Sequence, residues 1–548
     1  MRPAGGQFTT VLYRGLWEEI WQFAQGLARH NLQAGDKVVI LGETGYEWAL
    51  TDWAAQTLGL CTIPIYPTLP ADQAQYIADD SGAKLVIAQT SKLAAKLTNI
   101  PTTLMRQEEG FDWLLAPGEP GDRQGWESSI PAIDGESIAT IIYTSGTTGQ
   151  PKGAMLAHSA FTTLNRGIRA SLPIGETDVF LSFLPLSHVY ERYAGHVLPM
   201  SCGSCVAYAG SLASLAGDMV KVRPTIMLCV PRFLEATRAK ILEGIKKQKP
   251  LNQKLFGWAL EQGLRKARNQ SAPFAGILDK LVGEKIREKT GGRMRFFVSG
   301  GAALSPHVSE FYIAFGLNVL QGYGLTETCA GTCINLPDQN EPRTVGPVIQ
   351  GIDVKLAPDG EILVKGPTVM KGYHNLPKET AEVIDEEGWF HTGDIGEFEG
   401  VRLKITDRKK DILVLANGKN IAPQKIEAKL KESEFINEAV VFGDGFAYCY
   451  ALIVPEFEFV KAWLAEKGEK EADPARLAAR DDVRAQIKKE IDKANGALAD
   501  FEKIKKHQLV GNPFTVDGGE LTPSMKVKRK VVRDKYKPML AMMEKSED

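Results

Sequence analysis

Ile138-Ala139-Thr140-Ile141-Ile142-Tyr143 runs without a break into Thr144-Ser145-Gly146-Thr147-Thr148-Gly149-Gln150-Pro151-Lys152-Gly153. The first six residues are apolar or β-branched, the pattern of a strand buried on both faces. The next ten hold three glycines, four hydroxyls and a lysine. Glycines let a backbone come close to an anion, and hydroxyls and an ammonium supply donors. That is the composition of a phosphate cradle. It is not a Walker A loop, because the spacing Gly-x4-Gly-Lys-Ser/Thr is absent. A polar surface turn of the same composition is the alternative these residues leave open.

A strand of that kind needs a sheet covered by helices, and the flanking sequence supplies one. Upstream, 16–27, 48–58 and 72–80 have helical periodicity, while 37–41, 61–66 and 84–88 are short apolar strands. Downstream, 179–184, 204–209, 225–229 and 295–299 read as buried strands, and the alternation continues to about residue 335. Between them 246–293 is basic and helical and stops at Gly291-Gly292, an inserted helical pair that serves either as a lid or as surface packing. From Gly346 the texture changes to short β segments at 352–356, 361–365 and 402–405, parted by turns such as Pro358-Asp359-Gly360. After the charged break Thr406–Asp411 come a strand at 412–416, the Asn417-Gly418 turn and a helix near 423–432. Strands at 439–442 and 448–454, a charged helical stretch at 457–499 and a basic tail complete the chain. The expected fold is α/β. A large multi-subdomain N-terminal domain, 1–406, holds parallel-rich sheets and a β-rich subdomain; a hinge, 407–410, leads to a small mobile α+β C-terminal domain, 411–548.

Composition narrows the class. A length of 548 residues suggests about three domains. With 44% hydrophobic and 24% charged residues, a disordered chain, a collagen-like fibre and a disulfide miniprotein are excluded. Lys and Arg number 65 against 67 Asp and Glu, a net charge of −2, which gives no global case for nucleic acid. Cys202 and Cys205 form a CxxC with no second pair to complete a zinc site, so the seven thiols read as reduced, in a cytoplasmic setting. No apolar h-region opens the chain, so no signal peptide is expected. The charge-free stretch 197–217 is long enough to cross a bilayer. Pro199 and its glycines and serines argue instead for a strand, a turn at Gly210 and a helix from Ser211.

The decamer 144–153 closely resembles the signature loop of the AMP-forming adenylating enzymes, the superfamily of acyl-CoA synthetases, luciferases and peptide-synthetase adenylation domains. Further motifs follow in that family's order. Ser299-Gly300-Gly301-Ala302-Ala303-Leu304 resembles its acyl and adenine loop, and Gly322-Tyr323-Gly324-Leu325-Thr326-Glu327-Thr328 its nucleotide motif. Gly388-Trp389-Phe390-His391-Thr392-Gly393-Asp394 resembles its ribose motif, Asp407-Arg408-Lys409-Lys410-Asp411 its hinge, and Leu521-Thr522-Pro523-Ser524-Met525-Lys526 its C-terminal lysine loop. The resemblance covers about 10–538. Within it, Leu184-Pro185-Leu186-Ser187-His188-Val189-Tyr190-Glu191-Arg192, the helical insertion and Asn417-Gly418-Lys419-Asn420-Ile421-Ala422-Pro423 are similar to the long-chain fatty acyl-CoA synthetase branch. Two features depart from it: a shorter N-terminus, and Gly418-Lys419-Asn420 where many relatives carry Gly-x-Arg, so no CoA or nucleotide contact is assigned there.

The resemblance implies a two-step ligase. A fatty carboxylate attacks the α-phosphate of ATP to give acyl-AMP and pyrophosphate, and the CoA thiol then displaces AMP. The rival reading is a fatty acyl-AMP ligase that hands its acyl group to a carrier protein, with which it shares every nucleotide motif. A non-catalytic fatty acid or nucleotide binding protein is opposed by intact Glu327, Asp394 and Lys526. The resemblance also implies roles. Thr144, Ser145, Gly146, Thr147, Thr148 and Lys152 would surround the phosphates, with Thr326 as a further hydroxyl and Glu327 as a Mg²⁺ ligand. Tyr323 would lie against adenine, or be core; Gly301 and Ala302 would flank the acyl group; Asp394, unless a turn aspartate, and Arg408 would meet the ribose. His188 would serve the carboxylate, Lys410 the hinge, and Lys526 would bridge carboxylate and α-phosphate. Lys526 sits in a basic run with Lys528, Arg529 and Lys530 that could instead meet CoA phosphates or an anionic membrane, so a peripheral membrane contact stays open. The implied partners are fatty acid, ATP and CoA; the oligomeric state is open, a dimer included. A wall for the acyl tunnel is expected at 225–231, with Phe233 either at its mouth or in plain core packing.

Overall fold

The computed structural model describes residues 1–4, 7–110, 112–114, 121–144, 150–515, 517–522 and 527–544. A first six-stranded sheet runs in the order Thr102–Leu104, Leu85–Ala88, Lys37–Leu41, Cys61–Ile65, Ile138–Thr144, Lys152–Ala157. Its neighbours are parallel except the last pair, which is antiparallel. Val38–Leu41 and Leu85–Ala88 are fully buried, as the continuous apolar runs require of a sheet with helices on its faces. Helices Tyr13–Ala28, Tyr46–Thr57 and Ala71–Ser81 supply the cover, and Gly82 stops the third in the left-handed conformation.

A second sheet has the order Cys205–Tyr208, Val179–Ser182, Ile226–Cys229, Phe296–Ser299, Asn318–Tyr323, Cys333–Ile334, again parallel but for its last pair. The two sheets are joined through Arg192. Its buried guanidinium holds both carboxylate oxygens of Asp52, at 2.8 and 2.6 Å, and the hydroxyls of Thr140 and Thr62, at 2.6 and 2.8 Å. A buried ion pair is tolerable only when its donors and acceptors are matched in this way, and removing one partner costs about 3–5 kcal/mol.

From Gly346 a five-stranded sheet follows, in the order Gly346–Pro347, Arg402–Arg408, Phe390–Glu399, Glu361–Lys365, Asp353–Leu356. Beyond it Leu413–Val414 and Asn420–Ile421 form a hairpin, and Ile436–Phe442, Cys449–Pro455 and Ile504–Leu509 a three-stranded sheet with helices Pro423–Leu430 and Asp481–Asn495 beside it. The chain divides into two compact units. One holds Met1–Lys355, Leu363–Thr392 and Glu399–Leu403; the other holds Leu356–Ile362, Gly393–Phe398 and Lys404–Asp548. Among the described residues no helix is long and apolar enough to cross a membrane.

Two local expectations are corrected. The helix after Tyr208 starts at Leu215, not Ser211, because Ser211 and Ser214 bond each other's backbone N–H through their hydroxyls, a turn that competes with helix. The insertion is not a helical pair within 246–293. Helix Pro231–Lys246 begins earlier, Pro250 starts Pro250–Ala267, and a third helical run follows at 275–288. Of the two readings of Asp394, the turn aspartate falls away, since the residue lies inside strand Phe390–Glu399.

Candidate active site

The parallel strands of the second sheet end together, and the loops leaving their carboxyl ends carry the predicted motifs. Val179–Ser182 leads to His188, Phe296–Ser299 to Gly301 and Ala302, and Asn318–Tyr323 to Thr326 and Glu327. A crevice outside the carboxyl ends of parallel strands is where α/β sheets bind ligands. Gly301 has φ +81° and open space where a Cβ would stand, and it and Ala302 are exposed. Tyr323 is buried. Nδ1 of His188 accepts from the backbone N–H of Tyr190 at 3.1 Å, which places the proton of the neutral ring on Nε2.

Behind His188 the carboxyl of Glu191 is fully buried and accepts from Ser182 Oγ at 2.6 Å. Burial pushes its pKa up to about 8. The Tyr190 phenol donates to the carbonyl of Val298 at 2.8 Å and lies 3.4 Å from that of Cys229, so its ring is fixed beside Gly300. Phe233 is half-buried, its ring 5.3 Å from that of Phe183, and Ile226–Cys229 is core strand.

The signature loop leaves the first sheet. Thr144 and Lys152 are cross-strand partners that close its hairpin, and Thr144 Oγ1 lies 3.4 Å from the Lys152 carbonyl. Ser145, Gly146, Thr147 and Thr148 lie outside the described residues, as does Lys526. A segment the sequence reading missed, 370–374, stitches this hairpin to the second sheet. Met370 N–H donates to the Glu327 carbonyl at 2.8 Å, Lys371 N–H to the Met155 carbonyl at 2.8 Å, and His374 N–H to the Gly153 carbonyl at 2.7 Å. Tyr373 then donates its phenol to Glu327 Oε1 at 2.8 Å, with Lys152 Nζ 5.3 Å above its ring. The only sequence signal for this segment was its Lys371-Gly372-Tyr373 turn composition; Gly372 has φ +127°.

Asp394 and Arg408 belong to the second unit, and they meet: Nε of Arg408 is 3.1 Å from Oδ1 of the buried Asp394. Beside them Lys409 Nζ pairs with Asp359 at 2.6 Å and Glu361 at 2.8 Å, and Glu361 also accepts from Gly393 N–H at 2.9 Å. Lys410 is exposed, in the turn after strand Arg402–Arg408. Asp407 is buried, which raises its carboxyl to about 7 against the N–H donors of Arg408 and Gln424. Arg529, from the basic run, is not a free charge but pairs with Glu427 at 2.7 Å.

The fold is that of the adenylate-forming enzymes. It matches the crystal structure of ATP-bound MatB from Rhodopseudomonas palustris with a TM-score of 0.69, at 24% identity over 96% of this chain and 94% of that one. It matches the adenylation domain of a carboxylate reductase from Mycobacterium chelonae with a TM-score of 0.74, at 22% identity over 98% of this chain and 85% of that one. Residues 3–374 match the family model described as AMP-binding enzyme, and residues 410–547 the one described as AMP-binding enzyme C-terminal domain. The chain belongs to the AMP-binding enzyme family. Among curated relatives, the long-chain-fatty-acid–CoA ligase FadD15 of Mycobacterium bovis is 34% identical over 98% of this chain and 92% of its own length. The peroxisomal long chain acyl-CoA synthetase 6 of Arabidopsis thaliana is 33% identical over 95% of this chain and 79% of its own.

Proposed function

We propose that this chain is a long-chain fatty acid–CoA ligase, AMP-forming. The observation that carries the reading is that His188, Gly301, Ala302, Tyr323 and Glu327 all lie at the carboxyl ends of the strands of one sheet, in a chain similar over nearly its whole length to ligases of that name. A carboxylate is a poor acyl donor because its leaving group would be oxide. Its oxygen attacks the α-phosphorus of ATP, the bond to the bridging oxygen breaks, and pyrophosphate leaves. The CoA sulfur then attacks the acyl carbon and AMP leaves as a stabilised phosphate.

The first step brings two anions together, so the protein's work is positioning and charge stabilisation. Thr144 and Lys152 hold the ends of the phosphate loop, and Ser145, Gly146, Thr147 and Thr148 supply its donors. Thr326 adds a hydroxyl. His188 offers Nε2–H to the fatty carboxylate. Asp394 accepts from the ribose hydroxyls with Arg408 beside it. Lys526 is a point charge on a flexible stem, suited to carboxylate and α-phosphate at once. Mg²⁺ fits Glu327: Tyr373 fixes one carboxylate oxygen, and a hard cation takes its remaining ligands from phosphate and water. When bound, the ion would neutralise phosphate charge. Rotation about Lys410 would let one pocket serve both steps, the small domain 411–548 presenting different faces in turn.

A carboxylate panel assayed by pyrophosphate release, with and without CoA, tests the reading. kcat/KM is expected to climb from octanoate to dodecanoate, since each buried methylene is worth about 0.8 kcal/mol, and CoA is expected to be consumed. Acetate or an aromatic acid outperforming dodecanoate would overturn the chain-length assignment, and acyl transfer to a carrier protein but not to CoA would overturn the acceptor.

A further inference from the structure

We infer that the insertion docks the enzyme on an anionic lipid surface. Residues 246–293 hold twelve Lys and Arg against four Asp and Glu, a net charge of +8 in a chain whose total is −2. The same stretch presents Leu251, Trp258, Phe274, Ile277 and Leu281 to solvent, each between 48% and 68% exposed. Leu251 and Trp258 are seven residues apart on helix Pro250–Ala267, so they share a face, and Lys254 and Arg265 flank them on it. That face cannot turn inward. The opposite one carries buried Phe256 and Ala259, and at Gly263 it comes so close to helix Pro306–Ala314 that a Cβ would stand 2.0 Å from the Ala314 carbonyl oxygen.

The second stripe sits next to the first. The helical run 275–288 packs against Pro250–Ala267, and Phe274, Ile277 and Leu281 follow its turn spacing, with Lys280 and Lys285 exposed beside them. Two of the four acids pair within the stretch, Asp279 with Arg287 at 2.6 Å and Glu261 with Arg265 at 3.4 Å, which leaves ten cations against two acids. Trp, Phe, Ile and Leu set among lysines are the groups that partition into the headgroup boundary, apolar bodies inward and ammonium groups toward lipid phosphate. A soluble protein partner would not need the surplus of positive charge; a bilayer bearing anionic headgroups does.

The test uses the full-length protein, and its readout is vesicle binding rather than turnover, so the inference fails or succeeds independently of the proposed reaction. Co-sedimentation is measured with vesicles of phosphatidylcholine alone and of phosphatidylcholine with phosphatidylglycerol. Binding is expected to the second only, and to weaken with salt. Trp258→Ala/Phe274→Ala/Ile277→Ala is expected to lower partitioning by about tenfold or more, and Lys254→Glu/Lys280→Glu by about tenfold, both with octanoate turnover unchanged. No binding by the wild type, or binding by both variants equal to that of the wild type, overturns the inference. So does a change of oligomeric mass in the triple variant with vesicle binding intact, which would make this face a contact between copies of the chain.

Discussion

The phenol of Tyr373 donates a 2.8 Å hydrogen bond to Oε1 of Glu327. It comes from a segment outside every motif the sequence offered, and it aims the one carboxylate proposed to meet Mg²⁺. Burial and the Glu327 charge together raise the phenol's pKa, so it remains a donor throughout the working range. A hydrogen bond to a charged group is worth about 1.5–3 kcal/mol. Tyr373→Phe should therefore slow pyrophosphate release by roughly tenfold or more and move the Mg²⁺ titration to higher concentration. Glu327→Gln should do so more strongly. A Tyr373→Phe enzyme with the wild-type rate at every Mg²⁺ concentration would mean that the bond serves packing alone.

Lys526 is proposed to touch only the first transition state. Lys526→Ala should abolish adenylation while thioester formation from preformed acyl-AMP stays within about a few-fold of wild type. The two half-reactions are measured separately, by pyrophosphate release and by acyl-CoA yield. Equal losses in both would remove the assigned role.

Much of this architecture was legible in the sequence, for a physical reason. The strand cores 38–41, 61–65, 85–88 and 226–229 are buried on both faces and so, Thr62 apart, are apolar throughout. Ile504–Leu509 went unread because it is polar: Lys505, Lys506, His507 and Gln508 sit on an edge strand, where one side of the ladder and much of the surface face water. The same limit applies to the site. The motif loops announce themselves by glycines and hydroxyls, whereas Tyr373 reaches Glu327 from 46 residues away, a contact that only the folded sheet creates. The Arg192–Asp52 pair, 140 residues apart, was invisible for the same reason.

Glu191 carries a pH dependence whose sign follows from burial. Its pKa is about 8 in the folded chain against an ordinary 4.5. Below about 4.5 both folded and unfolded chains hold the proton, and the protonated carboxyl contributes its full stability. Between 4.5 and 8 only the unfolded chain ionises, so this contribution falls as pH rises, by up to about 1.4 kcal/mol per pH unit. Glu191→Gln keeps the acceptor for Ser182 and cannot ionise. Its stability relative to wild type should therefore climb from pH 5.5 to pH 7.5 in urea unfolding. Curves that stay parallel across that range would place an ordinary carboxylate at Glu191.

Gly300 is the position where the acyl loop and the His188 segment press together. A Cβ there would stand 2.9 Å from Cζ of Tyr190 and 3.0 Å from Cε2. The ring cannot easily yield, because its hydroxyl is bonded to the Val298 carbonyl at 2.8 Å. Overpacking of this kind costs about 1–3 kcal/mol. Gly300→Ala should lower thermal stability accordingly and, since Gly301 and Ala302 follow directly, reduce kcat/KM for the fatty acid by about tenfold with the KM for ATP little changed. Adding Tyr190→Phe frees the ring from its anchor, so the double variant should recover part of the loss even though Tyr190→Phe alone is mildly destabilising, by about 1 kcal/mol. Steady-state kinetics and melting curves on the three variants check this. A Gly300→Ala enzyme with wild-type kinetics, or a double variant no better than the single, would show that Tyr190 does not constrain the acyl loop.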